Sequence, residues 1–173
     1  MFFQIKAKLI DIPRRMYYNA CPDEFCSKKM DLVPGTKNIW YCPKCEKYQD
    51  YSQVKYMGSV KLADDTFTMY ATVCNDTIGD TIFGINAREY KEKVALLDDT
   101  RFSEMTEKIK NSDYKFNIMA GYHCYEGKES VKFTIINAEL IEFEQSKNPE
   151  IKPIQILQGI KNEFKKRLSL MMS

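Results

Sequence analysis

Four cysteines constrain this chain more than any other feature. They occur as two close pairs, in the segments CPDEFC (21–26) and CPKC (42–45), with fifteen residues between the pairs. Two short pairs at this separation are typical of a chain that wraps one tetrahedral Zn²⁺ ion, because each pair places two thiolates on one tight turn. The spacing therefore predicts a metal site whose ligands are Cys21, Cys26, Cys42 and Cys45.

Two disulfides are the alternative interpretation of these cysteines. Residues 1–20 lack the apolar run of a secretory signal, and a cytosolic or nuclear chain keeps its thiols reduced, so we favour zinc. Four thiolates fill the tetrahedron and leave no position for water, which predicts one structural ion rather than a catalytic one.

The remaining metal-ligating residue types give no second site. His123 is the only histidine and is followed by Cys124 and Tyr125, not by the Glu that a zinc deaminase carries two residues on, so we expect a strand residue rather than a ligand. Cys74 and Cys124 lie in apolar or strand-like surroundings, and we expect both to be buried thiols.

Alternating apolar and polar residues predict five strands, over residues 2–11, 54–63, 66–75, 115–125 and 130–143. The turn-rich segment 14–53, which contains the cysteines, falls between the first and second strands. Helical periodicity predicts helices over 78–96 and 99–111, between the third and fourth strands. Asp99 or Thr100 would cap the second helix. Its apolar face would consist of Phe102, Met105 and Ile109.

Five strands with a helix between the third and fourth is the order of an OB-fold barrel. The predicted fold class is therefore mainly β with helices: a five-stranded OB-fold barrel over 1–145, with a zinc ribbon inserted at about 14–53. The alternation also assigns faces. On the second strand, Val60 and Leu62 should point inward. On the third, the inward residues should be Phe67, Met69, Ala71 and Val73.

A break at 145–153, QSKNPEIKP, precedes a last amphipathic segment over 151–173. Spacings of three and four place its apolar residues on one helical face, namely Ile156, Leu157, Ile160, Phe164, Leu168 and Met171. This helix could dock on partner helices, pack on its own barrel, or lie on a membrane as a basic amphipathic helix, and we favour partner helices. No stretch approaches the ~18 apolar residues of a membrane-spanning helix, so we expect no membrane partner.

Charge is distributed unevenly along the 173 residues, although the net charge is only +2. Residues 14–61 carry nine Lys and Arg against five Asp and Glu, whereas residues 62–150 carry ten against seventeen. Residues 151–173 carry five against one. A basic segment beside an acidic body favours a local polyanion site over a uniformly basic clamp.

Several segments resemble the C-terminal single-stranded-DNA-binding domain of the replication protein A large subunit. They are YYNACPDEFCSKKM (17–30), WYCPKC (40–45), SVKLAD (59–64), IFGINAREY (82–90) and YEGKES (125–130). The resemblance covers nearly the whole chain, and the ribbon inserted after the first strand is its most specific part. It implies an OB barrel that binds without catalysis. It also implies a last helix that assembles with two smaller OB-fold subunits through a three-helix bundle.

Some members of that family are specialised for telomeres and act with telomerase. The family often has an aromatic residue near the end of the third strand, where this chain has Cys74, and its body is acidic. Both departures fit a paralogue with altered DNA preference.

An OB fold binds a single strand across its second and third strands, with bases on aromatic rings and cations on the phosphates. Outward positions on these strands include Lys55, Met57, Ser59 and Lys61, then Thr68, Tyr70 and Thr72. The resemblance matches Tyr70, Tyr125 and Trp40 to aromatic positions of the family, and Lys128 and Lys132 flank Tyr125. Trp40 could equally pack the ribbon, Tyr70 could be a cross-strand pair, and Lys55 and Lys61 could be solvated charges.

Three function classes remain. The first is a nuclear single-stranded DNA-binding module, within a larger protein, that serves DNA replication. The second is an assembly domain that holds subunits through residues 154–171. A zinc-dependent enzyme is the weakest, because the sequence supplies no open metal site, acid/base pair or phosphate-binding glycine loop, so we expect no catalysis.

Overall fold

The computed structural model describes residues 1–125 and 127–141 of the chain, apart from the side chains at 125, 128 and 129. Its elements follow one another as β1 (Phe2–Asp11), β2 (Tyr17–Ala20), β3 (Asp31–Leu32), β4 (Trp40–Cys42), β5 (Lys47–Gln49), β6 (Gln53–Tyr56), β7 (Gly58–Ala63), β8 (Thr68–Val73), α1 (Asp76–Phe83), α2 (Ala87–Leu96), α3 (Asp99–Lys110), β9 (Asp113–Tyr125) and β10 (Lys128–Leu140). Over the described residues, the fold is thus mainly β with three helices. The predicted helix at 151–173, with its six apolar stripe residues, lies outside the described residues.

Five of these strands form one closed sheet, in the order β1-β7-β8-β10-β9, with β9 pairing back onto β1. Neighbours run antiparallel except β8 and β10, which run parallel. These strands correspond to the five predicted from the alternation, and β1 has the predicted bounds. The cysteine segment lies between the first two strands of this sheet, as predicted.

Strand alternation puts apolar side chains into the interior of the closed sheet. The buried set includes Leu9, Val60, Leu62, Met69, Ala71, Val73, Phe116, Ile118 and Ile135, each at most 6% exposed. The inward assignments on the second and third predicted strands are therefore confirmed, and Phe67 packs against the same core while partly exposed. Because one face of each strand is committed to the core, the opposite face is available to solvent and ligands.

The predicted second strand, 54–63, is in fact two strands. Residues 53–56 pair with β2 and leave the closed sheet, and the chain bends at Met57, whose N–H donates to the carbonyl of Met16 (3.0 Å). At the bend, a Cβ on Gly58 would collide with the side chain of Met16. The close approach of these two segments therefore favours glycine at the point where β6 joins the ribbon and β7 joins the barrel.

The predicted helix over 78–96 is also divided. α1 ends at Gly84, whose φ of 69° is left-handed, and Asn86 caps α2 by accepting from the N–H of Glu89. The cap of α3 is Asp98, not Asp99 or Thr100, since its carboxylate accepts from the N–H of Arg101 (2.9 Å). The predicted apolar face of this helix does pack on the core.

The expectation of buried thiols outside the cluster is wrong, because Cys74 and Cys124 are both exposed. Cys74 comes directly after the end of β8. Cys124 lies where β9 and β10 continue as a hairpin beyond Met119, the last residue of β9 that pairs with β1. Neither position is covered by the barrel. Among the described residues, no helix has the length and apolar character needed to cross a membrane.

Candidate metal centre and nucleic-acid face

The four cysteines lie in the cysteine ribbon, defined as residues 17–53. Cys21 follows β2, and Cys26 closes a turn in which its N–H donates to the carbonyl of Asp23 (3.0 Å). Cys42 ends β4, and Cys45 occupies the turn before β5, with its N–H directed at the sulfur of Cys42 (3.5 Å). Each pair thus occupies one tight turn, as the spacing predicts.

The four sulfur atoms converge on one point. All lie within 4.8 Å of one another, and the separations are 3.9 Å between Cys21 and Cys45 and 3.6 Å between Cys26 and Cys42. A tetrahedral ion with metal–sulfur bonds of about 2.3 Å would place its sulfurs about 3.8 Å apart. The predicted grouping of these cysteines is confirmed, and the donor set fits a metal ion held by four thiolates.

The cysteines of the cluster differ in the direction in which their pKa is shifted. Burial opposes ionisation of Cys42, but the N–H groups of Cys45 and Lys44 and the neighbouring thiols stabilise its thiolate, so its pKa falls to about 7. The hydrogen bond with Cys26 and burial raise the pKa of Cys45 to about 12. Burial also raises the pKa of Cys21. The protein thus lowers the pKa of Cys42 and raises those of Cys21 and Cys45, and a cation at the centre would favour the thiolate form of these ligands.

His123 takes no part in this centre. It is exposed on β9, as the strand expectation requires, and the four cysteines are the one group of three or more candidate ligand residues within the described part of the chain. A small apolar cluster surrounds the sulfurs, in which Met30 is buried and Trp40 is half-buried.

Trp40 also connects the cysteine ribbon to α2. The ammonium of Lys91 lies 6.0 Å from the centre of the Trp40 ring and 5.9 Å from that of Tyr17, and it donates to the side-chain oxygen of Asn19 (3.0 Å). Lys91 thus contacts three residues of the ribbon. The sequence did not predict this role for Lys91. A lysine in an amphipathic helix is expected only to face solvent, and the pattern does not show which other segment it meets.

The outer surface of β7 and β8 presents a cation beside an aromatic ring. Lys61 pairs in register with Tyr70, its ammonium lies 5.7 Å from the ring centre, and Tyr70 is 58% exposed. Ser59 pairs with Thr72 in the next outward row. The ring of Tyr70 therefore offers a face to solvent next to a positive charge.

The parallel neighbour β10 extends this surface. Thr134 pairs with Thr72, and continuing that register places Lys132, which is exposed, in the row of Tyr70. We call Lys61, Tyr70, Thr72 and Lys132 the basic–aromatic face. Its geometry suits stacking of a flat ring between two flanking positive charges.

The other predicted contact residues lie elsewhere. Lys55 belongs to β6 and not to the closed sheet, and it donates to the hydroxyl of Ser27 (2.8 Å) in the cysteine ribbon. Its predicted place on the barrel face is therefore wrong. Tyr125 and Lys128 pair in register at the tip of the β9–β10 hairpin, but their side chains lie outside what the structure describes.

Known proteins of one family match this chain in sequence. The family model described as "Replication factor-A C terminal domain" matches residues 2–149. The chain is 28% identical over 131 residues to a replication protein A 70 kDa DNA-binding subunit of Arabidopsis thaliana. It is 26% identical over 146 residues to replication factor A protein 1 of Saccharomyces cerevisiae. These alignments cover 73% and 82% of this chain but only 15% and 22% of the two relatives.

Two solved structures share the fold. A replication protein A heterotrimer bound to ssDNA superposes with a TM-score of 0.71 at 23% identity, over 92% of this chain and 35% of that one. Yeast RPA bound to ssDNA superposes with a TM-score of 0.65 at 22% identity, over 94% and 86% of the two chains.

Proposed function

Because this chain belongs to the replication factor-A C-terminal domain family, we propose that it is a single-stranded DNA-binding and subunit-assembly domain of a replication protein A large-subunit-like protein. The observation that carries the proposal is the basic–aromatic face, where the exposed ring of Tyr70 lies beside Lys61. An OB fold uses this surface of its second and third strands for single strands.

Binding at this face involves only non-covalent contacts. A base stacks on Tyr70, which contributes roughly 1–3 kcal/mol. Lys61 and Lys132 contact the flanking phosphates, and Thr72 contributes a hydroxyl. Along the same path, Tyr125 and Lys128 would meet the strand at the hairpin tip, Trp40 would meet it at the cysteine ribbon, and Lys55 would lie beside the ribbon. The domain binds and does not catalyse.

The metal in this proposal is one Zn²⁺ ion with a structural role. Cys21, Cys26, Cys42 and Cys45 would hold it, and four thiolates leave no open position for a reacting water. The ion would supply charge neutralisation among the sulfurs and order the cysteine ribbon beside the binding face. The zinc ribbon, which the sequence places at about 14–53 and which contains the cysteine ribbon, would then be an insertion in a barrel domain over 1–145.

Subunit assembly would be the task of the C-terminal segment. Its apolar stripe would pack on smaller OB-fold subunits as a helix over 151–173, through Ile156, Leu157, Ile160, Phe164, Leu168 and Met171. One of the solved structures that superpose over most of this chain is of a heterotrimer, which supports partners of that kind. We place the assembled protein in the nucleus, where DNA replication takes place.

The central experiment is a fluorescence-anisotropy titration of the chain with a labelled dT oligonucleotide. Tyr70→Ala should weaken binding by roughly 1–3 kcal/mol, the contribution of one stacked base, and so raise the dissociation constant. Tyr51→Ala is the matched control, because Tyr51 is 57% exposed but lies off the basic–aromatic face. Equal dissociation constants for wild type and Tyr70→Ala would remove Tyr70 from the site.

Lysine contacts are tested by salt dependence. Lys61→Ala should lower the slope of log affinity against log salt by about 0.7, the value for one phosphate contact on a single strand. Lys108→Ala, which alters an exposed lysine on α3, should leave the slope unchanged. An unchanged slope in Lys61→Ala would show that Lys61 contacts no phosphate and that the strand does not follow β7.

A telomere-specialised paralogue that acts with telomerase is the second candidate. It is favoured by Cys74 at the end of β8 and by the excess of acids over residues 62–150, seventeen against ten basic residues. Titration with G/T-rich telomere-like repeats and with mixed sequence distinguishes the two. Equal affinities favour the general replication function, and a preference for the repeats favours the telomeric one.

A further inference from the structure

The cysteine ribbon has a second surface that faces away from the sulfurs. Strands β3, β4 and β5 form a three-stranded antiparallel sheet in which Asp31 pairs with Tyr41 and Tyr41 pairs with Tyr48. These three residues therefore form one row across the sheet. Because side chains alternate along a strand, the row points to the side opposite Trp40 and Cys42. We call Asp31, Tyr41 and Tyr48 the tyrosine face.

The two rings of the tyrosine face are in contact and open to solvent. Their centres are 5.1 Å apart with the planes inclined by 46°, and Tyr48 is 66% exposed. Four other rings of the chain each have a Lys or Arg over them, namely Tyr17, Trp40, Tyr70 and Phe102. Among the Lys and Arg side chains that the structure describes, none is placed in that way over Tyr41 or Tyr48.

The row itself carries the negative charge of Asp31, and Lys47, the basic residue of β5, pairs with Cys42 and so points to the opposite side of the sheet. Asp31 is exposed and forms no ion pair with another described residue. Glu46 and Asp50, also exposed, flank β5 on either side. Carboxylates repel the phosphates of a nucleic acid, whereas ring faces and carboxylates both attract a cation. The tyrosine face thus differs from the basic–aromatic face in the sign of its charge.

We propose that the tyrosine face is a docking site for an arginine or lysine side chain in a basic segment of a partner protein. The cationic group lies over the rings of Tyr41 and Tyr48, and the carboxylate of Asp31 accepts its hydrogen bonds. This site is separate from the DNA-binding surface. It allows the ribbon to contact a protein while the barrel holds a single strand.

The first test maps the site on the complete 173-residue chain in its metal-loaded form. The probe is a blocked peptide of alternating glycine and arginine, and the readout is the set of backbone amide resonances. Shifts should concentrate at Asp31, Tyr41 and Tyr48. The same peptide with citrulline, which is neutral and nearly isosteric, should shift them far less. Absence of shifts at the ribbon, or equal shifts from the two peptides, would overturn the proposal.

The second test uses variants. Tyr48→Leu keeps an apolar side chain but removes a ring, and should weaken arginine-peptide binding about 2- to 5-fold, as expected for one exposed cation–π contact. Asp31→Asn should weaken it and reduce its salt dependence. Tyr51→Leu is the control for an exposed tyrosine outside the row and should bind as wild type does. Unchanged affinity in Tyr48→Leu would exclude the site.

The third test gives the chain a dT oligonucleotide in place of the peptide. The proposal requires that the oligonucleotide cause no change at Asp31, Tyr41 and Tyr48, whether or not the basic–aromatic face shifts. Shifts in the tyrosine face caused by the oligonucleotide would assign this surface to nucleic acid and contradict a protein-docking role. The result is independent of whether the basic–aromatic face binds.

Discussion

The barrel and the cysteine ribbon are stabilised in different ways. The barrel buries a continuous set of apolar side chains from five strands, including Leu9, Val60 and Phe116 at 0% exposure. The ribbon has a core of only Cys21, Met30 and Cys42, with Trp40 and two further cysteines around it. A core so small cannot offset the entropy of ordering a segment of this length, so we expect the ribbon to depend on a metal ion held by its four cysteines and the barrel not to.

The largest expected effect comes from removing one sulfur ligand. Cys42→Ser should release the metal and unfold the cysteine ribbon, because apparent binding free energies of structural Zn²⁺ sites are about 10–16 kcal/mol. Metal analysis should show loss of the ion, and hydrogen exchange should become fast over residues 17–53 while the barrel strands stay protected.

A matched control for this variant is Cys74→Ser, which changes an exposed thiol outside the centre. It should retain the metal and the protection of the ribbon. Loss of protection across β1, β7 and β8 in Cys42→Ser would show that the barrel also depends on the metal, and the contrast between the two regions would fail.

The converse variant weakens the barrel. Phe116 is fully buried on β9, and Phe116→Ala should lower the free energy of unfolding by about 3–5 kcal/mol through lost burial and a cavity. Denaturant unfolding measures this loss, and the metal content at low denaturant should stay that of wild type. Metal release in the folded variant would indicate that the ribbon depends on the barrel for its site.

A smaller effect is expected where the two regions meet. Lys91→Met keeps the length of the side chain but removes the charge that contacts Trp40, Tyr17 and Asn19, so ribbon opening should become easier by about 1 kcal/mol. Native-state hydrogen exchange of the β4 amides measures the opening. Lys93→Met, an exposed position on the same helix, should leave the opening unchanged. Equal effects of the two variants would show that the contacts of Lys91 do not stabilise the ribbon.

Sequence patterns predicted what depends on local spacing. The alternation in β7 and β8 correctly assigned Val60, Leu62 and Met69 to the core, because period two identifies the buried face of a strand whatever its partner. The spacing of the cysteines identified their cluster, because each tight turn brings two sulfurs together and the loop between the turns is long enough for them to meet.

Features that depend on distant partners were missed. Residues 54–56 continue the alternation of β7, but they pair with β2, more than thirty residues earlier, and so Lys55 leaves the barrel face. Cys124 has strand periodicity like its neighbours but lies on a hairpin that extends past β1. Periodicity reports that a face is apolar, and only the tertiary pairing decides what covers it.

The smallest expected effects concern two hydroxyls in the aromatic cluster between the ribbon and the barrel. Tyr56 and Tyr90 are both buried, with ring centres 5.7 Å apart. The hydroxyl of Tyr56 donates to the carbonyl of Ile85 (2.8 Å), whereas that of Tyr90 has no hydrogen-bond partner among the described residues. Tyr56→Phe should therefore lower the free energy of unfolding by about 1 kcal/mol, since it removes this hydrogen bond to a partly buried carbonyl.

Tyr90→Phe should be neutral or stabilising, because it removes a polar group that is already buried without a partner. Each variant serves as the control for the other, since both delete one oxygen from the same cluster and keep its packing. Chemical denaturation gives both values. A loss in Tyr90→Phe as large as that in Tyr56→Phe would mean that the Tyr90 hydroxyl is paired in solution, for example through a buried water, and that the cluster between the two regions is held by polar contacts as well as by its rings.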